Sequence, residues 1–81
     1  MAMIYYVYVL ESINDGNLYI GQTNNINTRL KEHNSGKVFS TKGRRPFRLK
    51  YHEEFSSRAD AVKREKYLKS GCGREHIKSR V

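Results

Sequence analysis

The sequence predicts a small α+β domain built from three strands, mainly antiparallel, and at least two helices. Three observations indicate this fold class. An unbroken apolar and aromatic run covers residues 4–10, residues 47–55 alternate between apolar and polar side chains, and two other stretches begin with helix-capping signals. Because 81 residues can build only one small core, we expect a single domain over residues 1–81.

The first two strands are expected to form an antiparallel hairpin. Residues 4–10 have the length and the β-branched and aromatic content of a strand that is buried on both faces. An Asn-Asp-Gly turn signal predicts a loop at residues 13–16, and residues 18–22 form a second short strand. With that loop, Tyr8 and Tyr19 would lie on the same face of the hairpin as diagonal neighbours.

A helix is expected to follow the hairpin. Thr23 or Asn24 can cap its start, and the helix should run to about His33 and end at Gly36. Its apolar content is low, which predicts a surface helix with one narrow inward stripe. Arg29 and His33 are separated by one helical turn, so their side chains should point the same way.

Residues 36–46 read as a basic loop rich in small residues, with little apolar content and no evident role in packing. The alternation over residues 47–55 predicts a third strand with one apolar face and one wet, basic face. The residues expected on the apolar face are Phe47, Leu49, Tyr51 and Phe55. The residues expected on the basic face are Arg48, Lys50 and His52.

The last well-defined element is a second helix. Ser-Arg-Ala-Asp at residues 57–60 is a capping box, and the helix should run through Leu68 and stop at Gly71. At about 100° per residue its buried stripe consists of Ala61, Val62 and Leu68. Glu65 falls inside this stripe. A short terminal helix is expected over residues 74–80.

The composition narrows the class of partner and the compartment. Sixteen Lys and Arg against eight Asp and Glu give a net charge of +8 that is spread along the chain. A foldable, aromatic-rich and basic domain favours a polyanionic partner. No apolar run approaches the length of a membrane span and no secretion signal is recognisable, so we expect a cytoplasmic location without membrane contact. A single cysteine, Cys72, excludes an intramolecular disulfide.

Glu65 is the most informative acidic residue. A carboxylate within an apolar stripe is unfavourable unless it is paired or binds a cation. One interpretation is a metal ligand, because hard cations such as Mg²⁺ take carboxylate oxygen. The other is a salt bridge to Arg29 or to a nearby lysine. No paired-carboxylate motif is present, which favours a one-metal site over a two-metal site.

The remaining candidates each have a structural and a functional interpretation. Arg29 could be an ordinary solvated or ion-paired residue, or a fork that binds phosphate through two donors. His33 could simply be exposed or hydrogen-bonded. Tyr8 and Tyr19 could be sheet aromatics, or a pair of phenols that position an attacking water.

Taken together, these residues resemble the GIY-YIG nuclease superfamily. Tyr6-Val7-Tyr8 is similar to the first signature, with Tyr6 in place of the usual glycine, and Tyr19-Ile20-Gly21 matches the second. The segment that carries Arg29 and His33 is similar to the helix that follows in the family, and Glu65 occupies the position of the family's metal-binding glutamate. The likeness covers nearly the whole chain and is closest to small stand-alone bacterial members.

The resemblance implies a three-stranded sheet flanked by helices and Mg²⁺- or Mn²⁺-dependent endonuclease cleavage of DNA, structured or single-stranded, in DNA repair or processing. The implied catalytic residues are Tyr8, Tyr19, Arg29, His33 and Glu65, with Glu65 as the metal ligand. Since we expect no separate DNA-binding domain, the basic loop and the third strand are expected to hold DNA. The residues expected to do so are Lys37, Lys42, Arg44, Arg45, Arg48 and Lys50.

Two alternatives remain at the level of the sequence. The chain could be a nucleic-acid-binding module with little or no catalytic activity, or a subunit that is active only with a protein partner. Glu65 disfavours the binding module without catalysis, because an inward carboxylate would repel the phosphates of a bound nucleic acid.

Overall fold

The central feature of the fold is a three-stranded antiparallel sheet of order β2-β1-β3. The computed structural model describes residues 3–71 together with Gly73 and Ile77. The strands are β1 (Tyr5–Ser12), β2 (Leu18–Thr23) and β3 (Phe47–Phe55). The α-helices are α1 (Ile26–Ser35) and α2 (Arg58–Lys69), and a 3₁₀ helix covers Phe39–Arg44. The expected α+β class is therefore confirmed, while the terminal helix expected over residues 74–80 lies, except for Ile77, outside the described residues.

Strand β1 lies in the middle of the sheet and contributes to two separate apolar clusters. Its residues Val7, Tyr8, Val9 and Leu10 are all buried, as expected for a strand covered on both faces. One cluster lies under α2 and consists of Val7, Val9, Ile20, Ala61, Leu68 and Ile77. The other consists of Tyr8, Leu10 and Phe47, with Tyr19 and Leu30 packed against it. We call the sheet face of the first cluster the α2 face and that of the second the site face.

The hairpin has the predicted loop and register. The Ser12 amide donates to the Asn17 carbonyl at 2.9 Å, and Gly16 adopts a left-handed φ of 74° in the turn between them. Tyr8 pairs with Gly21 and Leu10 pairs with Tyr19. Tyr8 and Tyr19 are therefore diagonal neighbours on the site face, as the loop length predicted.

Strand β3 departs from the simple alternation that the sequence predicts. Val9 pairs with Tyr51 whereas the next residue, Leu10, pairs with Leu49, so Lys50 is an extra residue in a β-bulge. The bulge moves the two halves of the strand onto opposite faces: Phe47 joins the site-face cluster, while Tyr51 packs under α2. The prediction of one continuous apolar face was wrong, because a period of two holds only where no residue is inserted.

Helix α1 begins later and ends later than predicted. Its N-cap is Asn25, whose side chain accepts a hydrogen bond from the Thr28 amide at 3.1 Å. Thr23 instead accepts from the Asn25 amide at 3.1 Å and so shapes the turn before the helix. Gly36 ends the helix in the left-handed conformation, with φ of 85°, as expected.

Residues 36–46 are more ordered than the predicted loop. The 3₁₀ helix within them buries Thr41 completely. Arg44 forms an ion pair with Asp15 at 3.2 Å, and its carbonyl accepts a hydrogen bond from the Ser12 hydroxyl at 2.5 Å. Its guanidinium also lies 5.5 Å from the centre of the Phe47 ring. The expectation that this segment has no role in packing was therefore wrong.

Helix α2 matches its sequence signals closely. Ser57 caps it by accepting from the Asp60 amide at 3.2 Å, and Ala61 and Leu68 are fully buried on its inner stripe. Glu65 lies within that stripe, with 20% of its side chain exposed. Neither α1 nor α2, the two α-helices of the described residues, has the length and apolar character of a membrane span.

Candidate active site

A chain of hydrogen bonds starts at the Tyr8 phenol on the site face and runs into the protein. Tyr8 Oη lies 3.0 Å from His33 Nε2, and His33 Nδ1 lies 2.8 Å from Thr41 Oγ1. His33 and Thr41 are fully buried, and Tyr8 is 2% exposed. The connection joins strand β1, helix α1 and the 3₁₀ helix, which places three distant segments of the sequence in one polar cluster.

The hydrogen bonds of Thr41, at the buried end of this series, indicate which nitrogen of His33 carries the proton. The Thr41 hydroxyl donates a hydrogen bond to the Val38 carbonyl oxygen at 3.4 Å. A carbonyl oxygen can only accept, so the Thr41 proton must point towards Val38. Thr41 Oγ1 is then free to accept from His33 Nδ1–H, which leaves Nε2 as the acceptor for the Tyr8 hydroxyl. This assignment satisfies each polar atom of the cluster and leaves His33 Nε2 ready to receive a proton from Tyr8.

Burial sets the resting protonation states of this pair. Burial lowers the pKa of His33, and the nearby Arg29 guanidinium lowers it further. Burial raises the pKa of Tyr8, against the opposing hydrogen bond from Arg29. The pair at neutral pH is therefore a neutral imidazole that faces a protonated phenol.

Arg29 binds the same phenol from the side of solvent. Its Nε donates to Tyr8 Oη at 3.4 Å and its Nη1 donates to Glu32 Oε1 at 3.1 Å. The hydrogen bond to Tyr8 is the main reason that the pKa of Arg29 is raised. Arg29 therefore keeps a full positive charge next to the phenol, and it would stabilise negative charge that develops there.

Gly21 explains how the Tyr8 phenol reaches its position over strand β2. A Cβ atom at Gly21 would lie 2.5 Å from Tyr8 Oη and 2.7 Å from Tyr8 Cζ. The last residue of the Tyr19-Ile20-Gly21 motif is therefore glycine for a steric reason. Tyr19 packs beside it, with its ring 4.9 Å from that of His33 and 6.4 Å from that of Tyr8, measured between centres.

Glu65 is the one predicted catalytic residue that the structure does not place in direct contact with the others. It lies on α2, and its Oε2 accepts a hydrogen bond from Lys69 Nζ at 2.7 Å. This is the lysine salt bridge that was the alternative to a metal ligand. The negative charge of Glu65 adds to the effect of burial in raising the pKa of Tyr8, but its contribution is the smallest. The carboxylate is thus close enough to influence the phenol without bonding to it.

The predicted catalytic residues contain one carboxylate, which is compatible with a single hard divalent cation that keeps most of its waters. Within the described residues, no group of three or more His, Cys, Asp and Glu side chains is close enough to form a metal cage. His33 is not a candidate ligand, because both of its ring nitrogens are already hydrogen-bonded. Among the predicted catalytic residues, the partly exposed Glu65 carboxylate is the donor that suits such an ion, because Mg²⁺ or Mn²⁺ can bind through one carboxylate while retaining several waters.

The six basic residues predicted to bind DNA fall into two groups. Lys37, Lys42 and Arg45 are exposed around the 3₁₀ helix, whereas Arg44 is held by Asp15. Arg48 and Lys50 form ion pairs with Glu11, at 2.5 and 3.4 Å. Glu11 pairs with Arg48 across the strands on the α2 face, so these two cations point away from Tyr8.

Thr41 is the residue of this cluster that the sequence did not reveal. It lies in a polar, basic segment in which a threonine carries no periodic or motif signal. Its complete burial and its contact with His33 become evident only when the 3₁₀ helix is placed against α1.

The hydrogen bond between Tyr8 and His33 predicts how the rate of cleavage should depend on pH in the acid range. An imidazolium cannot accept a proton from Tyr8. If His33 accepts the Tyr8 proton during catalysis, we expect activity to be lost as pH falls through the His33 pKa. Because burial lowers that pKa, we expect the midpoint to lie below the ordinary imidazole value of about 6.5. Single-turnover cleavage rates across the acid range, together with an NMR titration of the His33 ring, would test this. A cleavage midpoint above the ordinary imidazole value would contradict it.

Comparison with known proteins identifies relatives along nearly the whole chain. Residues 4–78 match the family model of the GIY-YIG catalytic domain. A UPF0213 protein of Bacillus licheniformis is 50% identical over 66 residues, which cover 80% of this chain and 67% of the relative. A UPF0213 protein of Staphylococcus haemolyticus is 40% identical over 75 residues, covering 91% and 90%.

A solved structure supports the same relationship. The solution NMR structure of a UPF0213 protein from Bacillus halodurans superposes with a TM-score of 0.58 at 40% sequence identity, and the match covers 95% of this chain and 84% of that one. The three-stranded sheet with its helices is therefore shared with an experimentally determined relative.

Proposed function

Because the chain belongs to the GIY-YIG family, we propose that it is a metal-dependent endonuclease that hydrolyses DNA phosphodiester bonds in the cytoplasm, in DNA repair or processing. One observation carries the proposal: a protonated Tyr8 phenol is hydrogen-bonded both to the neutral, buried His33 and to the charged Arg29. A phenol that only packed in the core would need one partner for its hydroxyl. A proton acceptor and a cation on the same oxygen are what proton transfer from water requires.

The pKa directions favour a proton relay over a stable phenolate. A free phenolate at Tyr8 would be opposed by burial, which raises the phenol pKa and lowers that of His33. We therefore propose that water transfers a proton to Tyr8 Oη while the Tyr8 proton moves to His33 Nε2. Tyr8 remains neutral and His33 becomes the imidazolium, while the hydroxide forms a bond to phosphorus and the bond from phosphorus to the leaving oxygen of the strand breaks. The leaving oxygen takes a proton from solvent, and the imidazolium returns its proton through Tyr8 to solvent. Arg29 stabilises the negative charge on the phosphate and the partial negative charge on the phenol oxygen while the two protons move.

Glu65 would hold Mg²⁺ or Mn²⁺ in this scheme. When bound, the cation supplies Lewis-acid polarisation of the scissile phosphate. The ion pair with Lys69 does not oppose this role, because an exposed i,i+4 pair contributes only about 0.3–0.5 kcal/mol and is readily exchanged. Lys69 is half exposed and can turn towards solvent or towards DNA.

The direct test is cleavage of defined DNA. Purified protein would be incubated with single-stranded, duplex, flap and branched DNA of the same sequence, with Mg²⁺, Mn²⁺ or EDTA. We expect metal-dependent cuts on at least one substrate and none with EDTA. Binding to DNA without a cut on any substrate would favour the second candidate, a nucleic-acid-binding module. That candidate is supported by the net charge of +8 and the exposed cations of the 3₁₀ segment.

The exposed cations predict how binding depends on salt. Replacing Lys37, Lys42 and Arg45 by alanine should weaken binding to all DNA sequences and lower the slope of log affinity against log salt by roughly 0.7 to 0.9 per lost phosphate contact. The cleavage step at saturating protein should change much less. Arg44 is left intact, because its removal would also break contacts that hold the 3₁₀ helix.

Arg48 and Lys50 provide the matched control for this prediction. Their replacement by alanine removes two cations from the opposite sheet face, where both pair with Glu11. An unchanged salt slope in the first variant and a reduced slope in the control would show that DNA lies on the α2 face.

A further inference from the structure

Phe39 is the most exposed large apolar residue among the described residues. Its side chain is 93% exposed, compared with 63% for Ile13, the next in order. Ile13 lies in the hairpin turn, where exposure is ordinary. Phe39 instead opens the 3₁₀ helix whose third residue, Thr41, holds the catalytic histidine. The backbone position that carries this exposed phenyl ring is therefore about 4 Å along the helix axis from that of Thr41.

Positive charge accompanies Phe39 on the same side of this helix. Side chains three residues apart eclipse one another in a 3₁₀ helix, so Lys42 follows directly behind Phe39, while Thr41 points inward. The stem of Lys42 and the guanidinium of Arg45 both lie over Gly36, and Arg45 would contact any side chain at that position. Lys42 therefore shares a side of the helix with the Phe39 ring, and the Arg45 guanidinium approaches the Lys42 stem over Gly36.

We propose that Phe39 stacks on an unpaired base of the DNA substrate while Lys42 and Arg45 bind the flanking phosphates. The inference rests on the proposed nuclease function and narrows its substrate to DNA with single-stranded or unpaired nucleotides beside the cut. Stacking suits such a ring, because every base offers a flat apolar surface once it is freed from the duplex. A paired base in a duplex has no face available to a side chain at the surface.

The positive charges of Lys42 and Arg45 favour a DNA base over an apolar protein surface as the partner of Phe39. An apolar protein partner would have to bury Lys42 and Arg45 beside the ring, which is unfavourable without acidic groups in matching positions. A polynucleotide supplies an apolar face and anionic groups at a fixed spacing along one chain. Single-stranded DNA is therefore the partner that would contact all three side chains, Phe39, Lys42 and Arg45.

The chain offers a direct probe of stacking, because it contains no tryptophan. Phe39→Trp would create a protein with one indole, at the proposed stacking position. Titration with a single-stranded oligonucleotide in EDTA should quench its fluorescence. A matched oligonucleotide of abasic sites keeps the phosphates but has no bases, and should bind with little quenching. Equal quenching by both oligonucleotides, or none by either, would overturn the proposal.

Affinities of a second variant pair test the energetic contribution. Phe39→Ala should weaken binding to the single-stranded oligonucleotide by about five- to a hundredfold and leave the salt slope unchanged, since one base contact and no phosphate contact is lost. Binding to the abasic oligonucleotide should not change. Ile13→Ala removes an exposed apolar side chain of the hairpin turn and should leave both affinities intact. Equal losses on the two oligonucleotides, or no loss on either, would refute stacking and leave protein docking as the role of the ring.

These measurements are independent of cleavage, because they are made without divalent metal. If no DNA were cut under any condition but base-dependent binding by Phe39 persisted, the nuclease proposal would fail and the stacking site would stand. If DNA were cut normally by Phe39→Ala on every substrate, with unchanged binding, the stacking proposal would fail and the nuclease would stand.

Discussion

Glu65→Gln should abolish DNA cleavage while the protein still folds and binds DNA. The amide has the same shape as the carboxylate but lacks the charge that a hard cation requires, and the lost Lewis-acid stabilisation predicts a rate at least about a thousandfold lower. The cost to folding should be small, because Glu65 is partly exposed and its visible partner is the single ion pair with Lys69. The measurements are single-turnover cleavage with Mg²⁺, thermal unfolding and DNA affinity.

Lys69→Gln is the matched control, since it breaks the same ion pair and keeps the carboxylate. If Glu65 serves as a metal ligand, the control should cut DNA at close to the original rate. If both variants lost activity equally, or if Glu65→Gln unfolded, the salt bridge would be the function of Glu65. Normal cleavage by Glu65→Gln would remove it from the metal site altogether.

Tyr8→Phe should lower the rate of cleavage by about a hundred- to ten-thousandfold, the usual contribution of a general acid or base. The ring and its packing over Gly21 are kept, but the path from water to His33 is interrupted. His33 Nε2 would also be left without its partner in a buried position, at an expected cost of about 1–3 kcal/mol in stability. Rates should therefore be measured well below the unfolding temperature of the variant.

Tyr19→Phe provides the comparison that identifies the relay residue. The Tyr19 ring packs on His33 and Tyr8, but its hydroxyl is not part of the hydrogen-bonded chain described for the site. Its removal should reduce the rate far less than that of Tyr8. Equal losses for the two variants would mean that both phenols handle the proton, and a larger loss for Tyr19 would move the relay to that residue.

Local signals were sufficient for most of the fold. The length of the turn at 13–16 determined which residues face each other in the hairpin, so the juxtaposition of Tyr8 and Tyr19 followed from the sequence. Capping at Ser57 and the left-handed Gly36 marked helix ends because each is a local hydrogen-bonding requirement. The bulge at Lys50 has no such local signature, since it depends on which partner residue of β1 is opposite.

The site was predictable only in part, for a related reason. Arg29 and His33 were expected to share a helix face, and both reach the Tyr8 oxygen. Thr41 could not be found, because its contact with His33 joins two segments that no periodicity relates. Arg44 was predicted to bind DNA, and its ion pair with Asp15 had no signal in the sequence, because that pair depends on how the 3₁₀ helix meets the hairpin.

The bulge in β3 has a consequence for how the gene can vary in length. Apolar residues before Lys50 pack in the cluster on the site face, and those after it pack in the cluster under α2. The apolar side of the strand therefore changes at Lys50. Deleting Lys50 itself would restore a regular strand with each half on its present face, whereas deleting one residue elsewhere in β3 would turn part of the strand onto the wrong face. The exposed hairpin turn imposes no comparable condition. One-residue insertions and deletions should therefore be accepted in the hairpin turn, and in β3 only the loss of Lys50 should be accepted.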